Sequence, residues 1–190
     1  AAIRVFARRG YHGARVSDIA READIAYGLV YHYFKTKEEI LRTIFEERWN
    51  AFLHVVDTVA EGPGTAGEKL HALAGLILYA YRRRPDWVKV LVFEIQRSSR
   101  FSEPEQIRAV GRLFQSVARV VRAGQDAGEL RADLDAERVC LAFIGALETM
   151  ITSQVLGVTR LPDGPEASDD RSVAVVMELF LGGLRAGGAR

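Results

Sequence analysis

Tyr27, Tyr31, His32 and Tyr33 crowd around Gly28 in the short stretch AYGLVYHYF, residues 26–34. Phenol and imidazole groups at that spacing donate and accept hydrogen bonds to phosphates or base edges, while Ala26 and Leu29 suit contact with a thymine methyl. Gly28 lets a backbone come close to a duplex. Ser17 and Lys37 each stand at an expected helix N-terminus, where orphan N–H groups and the helix dipole attract an anion, so both are candidate phosphate clamps. Ala26 to Phe34 contains no Arg or Lys. A bidentate guanine contact from this stretch is therefore excluded, and shape or water-mediated readout gains weight.

The same inventory argues against an enzyme. His12, His32, His54 and His71 lack metal-ligand spacing, no G-x-S-x-G or Gly-rich phosphate loop occurs, and Cys140 has no evident activating base. No cofactor and no metal site are expected.

Positioning those side chains requires a helix, a tight turn and a second helix. Ser17 is read as the cap of the first, whose buried face is Ile19, Ala20 and Ala23, with Asp18 favourable at the positive end of the dipole. Asp24 and Ile25 form the turn, Ile25 being the apolar wedge. The second helix, Ala26 to Tyr33, turns Val30 and Phe34 to one face, and Tyr33 lies between core and surface. Thr36 with Glu39 makes a capping box, so a third helix starts at Lys37 and runs on Leu41, Phe45, Trp49, Phe52 and Val56. This head is assigned residues 1–45.

Residues 46–190 read as a helical body. EGPGTAG at 61–67 breaks the chain, and Thr65 with Glu68 opens a helix on Leu70, Leu73, Ala74, Ile77, Leu78 and Tyr81. Pro85 starts a helix over roughly 86–98, apolar on more than one side. Ser102 with Glu105 caps a long helix on Ile107, Val110, Leu113, Phe114, Val117 and Val121. Helices over 136–157 and from Val173 to Leu184 complete an all-α fold of about nine helices, with no strand signal.

The 190 residues are 48% hydrophobic and 27% charged, ordinary for a globular protein. No run of about 18 apolar residues is expected to span a bilayer. Ala1 to Arg9 reads as an amphipathic helix rather than a signal peptide, and an N-terminal arm ahead of it is open. A lone cysteine fits a reducing cytoplasm. Net charge is +1, but residues 1–37 carry seven basic and three acidic side chains, a surplus of four. One end is thus offered to phosphates.

GLVYHYFKTKEEIL, residues 28–41, resembles the TetR-type bacterial transcriptional regulators. The likeness is specific over the first 50 or so residues. It implies a two-fold dimer reading a palindromic operator, with Gly145, Ala146, Val173, Met177, Phe180 and Leu184 pairing as a four-helix bundle. It also implies a body that takes a small hydrophobic effector, with Leu73, Ile77, Tyr81, Phe93, Phe114, Val117, Leu147 and Ile151 as candidate lining. VFEIQRSSRF at 92–101 and ALETMITSQVLG at 146–157 resemble regulators of fatty-acid degradation, whose effectors are long-chain acyl-CoA thioesters. Arg82, Arg83, Arg97 and Arg100 would then meet the nucleotide phosphates. Two other readings stay open: a helix-turn-helix binder with no ligand, and a drug-efflux regulator using Glu94 or Glu148 against a cation.

Overall fold

The computed structural model describes residues 1–95, 104–158 and 165–184. Among them lie nine α-helices: α1 Ala2–Gly13, α2 Val16–Ala23, α3 Tyr27–Tyr33, α4 Lys37–Glu61, α5 Ala66–Arg83, α6 Pro85–Val90, α7 Pro104–Asp126, α8 Ala136–Leu156 and α9 Pro165–Leu184. A π-helical turn, Leu91–Ile95, follows α6 where the sequence pattern predicts an unbroken helix. No strand occurs among the described residues.

The helices form two compact units, Ala1–Phe52 with Arg84–Ile107, and Leu53–Arg83 with Arg108–Arg190. The first takes in a segment that the sequence pattern gives to the body, because α6 and the π turn pack on α1. Val5, Phe6, Tyr11, Ile19, Ala20, Val30, Leu41 and Phe45 are buried in this unit, together with Val88, Val90 and Val92. α1 kinks at Gly10, whose φ of 67° is the left-handed region that glycine adopts without strain. A Cβ there would also lie 3.2 Å from Glu94 Oε1 on the π turn, so the kink lets the two segments approach.

Several expected starts are found. Thr36 Oγ1 accepts the Glu39 N–H at 3.0 Å while Glu39 Oε2 accepts the Lys35 N–H at 2.7 Å. Thr65 and Glu68 cap each other's backbone N–H at 3.2 and 2.8 Å, and Pro85 occupies the first turn of α6. Ser102 lies outside the described residues.

In the second unit α5 buries Leu70, Leu73, Ala74, Ile77 and Leu78 and packs with α8 and α9. Phe143 meets Phe180 edge to face at 5.4 Å. The Cys140 thiol donates to the Phe114 carbonyl at 3.2 Å, and burial pushes its pKa up to about 11, so it is an inert core thiol. On α7 the expected stripe begins late: Leu113, Val117 and Val121 are buried, whereas Ile107 and Val110 are exposed and the first turn buries the polar Gln106 instead. α8 is long and apolar enough to cross a bilayer by length and composition, which corrects the expectation that no such segment exists. A third of that window is buried inside the unit.

The start of α2 depends on Asp18, whose Oδ2 accepts the Arg15 N–H at 3.2 Å. Replacing it, Asp18→Ala, should cost about 1 kcal/mol and lower Tm by about 2–4 °C in thermal unfolding. Asp18→Asn, which keeps an acceptor, should recover most of the loss.

Candidate functional site

The cap just described corrects the role of Ser17, which sits half-buried in the first turn of α2 rather than at its cap. Sequence favours Ser for that position, but the acid at the third helical residue reaches back to the Arg15 N–H and sets the start two residues earlier. α2 ends at Asp24 in the left-handed conformation, φ 55° and ψ 46°, and Ile25 N–H closes onto the Ala20 carbonyl at 3.0 Å. That geometry swings Ile25 outward to 41% exposure, so it is not the wedge, and Ala23 is exposed as well. Val30 of α3 is the buried residue instead, with Phe34 half-buried behind it.

With Val30 inward, α3 turns Tyr27, Gly28, Leu29, Tyr31, His32 and Tyr33 to solvent, and Ala26 is exposed at its N-cap. Tyr33 is 68% exposed, which places it on the surface. Tyr27 and Tyr31, one helical turn apart, have rings 5.0 Å apart in an edge contact, and the Tyr27 hydroxyl donates to the Tyr31 oxygen at 3.2 Å. Giving that hydrogen bond holds the Tyr27 proton and raises its pKa above the ordinary phenol value. His32 lies edge-on to Tyr33 at 5.1 Å. A Cβ on Gly28 would touch nothing within 4 Å, so a strip of bare backbone runs beside the tyrosine pair.

The basic surplus of the head is largely engaged. Arg4 and Arg8 both hold Glu22, the first at 2.6 Å, and their hydrogen bonds bring its pKa down to about 2. Arg9 and Arg21 flank Asp18 at 3.1 and 3.7 Å. Lys37 keeps its backbone N–H at the head of α4 but turns its side chain inward: its ammonium donates to the carbonyls of Tyr11 and of Ala14, the latter at 2.8 Å, and lies 4.3 Å from the Tyr11 ring centre. Its long stem folds inward because the last carbonyls of α1 lack helical partners. Arg15 and Lys35 are exposed and make no ion pair among the described residues, a pair of cations the motif-based reading did not single out.

Of the expected effector residues, Leu73, Ile77, Val117, Leu147 and Ile151 are buried in the second unit, and Tyr81 and Phe114 are half-buried there. Phe93 lies on the π turn of the first unit, 37% exposed, and Arg97 and Arg100 lie outside the described residues. Arg82 and Arg83 are exposed, the Arg82 guanidinium 5.0 Å from the Tyr79 ring centre. Gln106 was missed by pattern reading: it is buried with its Oε1 unpartnered, and only burial marks it. Among the candidate dimer residues, Val173, Met177 and Leu184 are buried inside the protomer, because α9 spends that face on α5 and α8. Gly145, Ala146 and Phe180 are half-buried, and the exposed large apolar residues of α8 and α9 among the described side chains are Leu141, Leu156, Val175 and Leu179.

Residues 1–44 match the profile of bacterial regulatory proteins of the tetR family, and residues 67–157 that of the tetracyclin repressor-like C-terminal domain. The chain belongs to the TetR family. That is a family of transcriptional regulators, not of enzymes. Its relatives include the fatty acid metabolism regulator protein of Bacillus subtilis (strain 168), 27% identical over 157 residues, 82% of this chain and 80% of the relative. The transcriptional regulator FadR from Bacillus subtilis, solved in complex with stearoyl-CoA, superposes with TM-score 0.79 at 25% identity over 96% of this chain and 95% of that one. The fatty acid degradation regulator FadR from Bacillus halodurans gives 0.77 at 26% identity, covering 97% and 96%.

For this TetR-family head, Lys37→Met should cost about 2 kcal/mol of stability by orphaning two carbonyls, and leave the salt dependence of DNA binding unchanged. Lys35→Ala should do the reverse, lowering the slope of log K against log salt by roughly one in a fluorescence titration. Glu22 is depressed, so its contribution is complete above the ordinary carboxylate pKa and is lost as pH falls toward about 2. The Tm gap between wild type and Glu22→Gln should therefore be constant near neutrality and close progressively below about pH 4, as scanning calorimetry at several pH values would record.

Proposed function

We propose that this TetR-family chain is a dimeric, cytoplasmic repressor that reads a palindromic operator with α3 and leaves it when a long-chain acyl-CoA ester binds the body. The observation that carries the effector class is the likeness, over 96% of the chain, to a regulator solved with stearoyl-CoA. Ser17, Ala26, Tyr27, Gly28, Leu29, Tyr31, His32 and Tyr33 form the DNA surface. Tyrosine hydroxyls and His32 bond phosphates or bases, Ala26 and Leu29 meet thymine methyls, and Lys37 contributes its backbone N–H at the head of α4. Arg15 and Lys35 add attraction to the phosphates.

The apolar residues of α5, α7 and α8 named above hold the acyl chain, and Arg82, Arg83, Arg97 and Arg100 the phosphates of the nucleotide. Leu141, Val175 and Leu179 on α8 and α9 pair with a second copy. Release is a linkage between two states: an effector that favours the non-binding state about 100-fold contributes about 2.7 kcal/mol, enough to empty an operator at ordinary concentrations. Phe93 sits on the π turn whose Glu94 faces Gly10 of α1, so that turn and the DNA-reading head share one core.

Gel-shift titration on DNA from beside the gene tests this. Palmitoyl-CoA, stearoyl-CoA or oleoyl-CoA at micromolar concentration should weaken binding at least tenfold, and free CoA should not. Release by cationic drugs with none by the CoA esters would replace the lipid reading with that of an efflux regulator.

A further inference from the structure

α3 carries no Arg or Lys, so its direct reading of bases falls to the tyrosine hydroxyls and His32. Tyr27 and Tyr31 are linked hydroxyl to hydroxyl at 3.2 Å, and their rings brace each other edge to face at 5.0 Å. Two separate phenols can each give a proton to a partner. A linked pair cannot, since one of its two protons is committed to the link; outward it keeps one O–H donor and, on the other oxygen, a lone pair. This holds whichever hydroxyl donates within the pair. In the major groove, adenine presents one acceptor, N7, beside one donor, the N6 amino group, whereas guanine presents two neighbouring acceptors, N7 and O6. The bare backbone at Gly28 removes any Cβ that would hold the pair off the groove floor.

We propose that the Tyr27–Tyr31 hydroxyl pair acts as a single one-donor, one-acceptor reader that selects adenine over guanine at one position of each operator half-site. It does the work usually given to the amide of Asn or Gln, using two side chains on successive turns. Meeting guanine requires breaking the internal bond or setting the lone pair of one tyrosine against O6. The raised pKa of the Tyr27 hydroxyl agrees with a proton held in the link. The inference rests on α3 being the helix that enters the groove.

The test is site selection from a random duplex library with the full-length dimer, as wild type, Tyr27→Phe, Tyr31→Phe and the double variant. Both side chains are exposed, so the variants should fold, which circular dichroism checks. Wild type should prefer adenine to guanine roughly tenfold at one position per half-site. Either single substitution should abolish that preference and leave the others intact, and the double variant should lose no further discrimination. Replacing that adenine by a purine lacking the 6-amino group should weaken wild type but not Tyr27→Phe. If both substitutions lower affinity equally for every sequence and additively, the tyrosines only hold phosphates and this inference fails while the proposed function stands. If wild type selects no site at all, both fail.

Discussion

A seven-residue helix does not stand alone in water, because its few internal hydrogen bonds cannot offset the cost of nucleating it. α3 exists only because its neighbours hold it, and Val30 is the one residue it buries in return. The holding is done at both ends. Asp24 in the left-handed conformation turns the chain out of α2, and at the far end the Phe34 N–H closes on the Val30 carbonyl at 2.9 Å before the Thr36 cap starts α4. A helix so little buried shows nearly all of its surface to a partner, and its precision is borrowed from the core beneath it.

The charges of the head serve that same end. Arg4, Arg8 and Arg9 of α1 clasp the two acids of α2, and Lys37 closes the carbonyl end of α1 against the Tyr11 ring. Exposed pairs of this sort stabilise weakly one by one, so their use lies in orienting α1 and α2 against each other. Attraction to phosphates then falls to Arg15, Lys35 and the helix N-termini, and selectivity to the tyrosines and His32 of α3.

Much of this was legible in the residues. Capping boxes at Thr36 and Glu39 and at Thr65 and Glu68, the opening proline of α6 and the outward aromatics of α3 follow from local rules that act within one turn. What failed needed tertiary information. Ser17 and Asp18 are both competent caps, and reach-back by the acid decided between them. Ile25 has the composition of a wedge, yet the backbone at Asp24 aims it at solvent. Lys37 stands at the head of α4 as expected, but the direction of its side chain was not legible, because no spacing rule says where a flexible stem bends. Periodicity marked Ile107, Val110, Val173 and Met177 alike as apolar faces; it could not say that the first two stay uncovered while α5 and α8 cover the last two.

The central claim is that the small α2–α3 surface meets the duplex. Hydrogen–deuterium exchange of the full chain with and without a bound operator fragment tests it directly. Amides of residues 24–37 should exchange markedly more slowly with DNA present and return to their unbound rates when stearoyl-CoA is added. Protection confined to α8 and α9, with residues 24–37 unchanged, would contradict it.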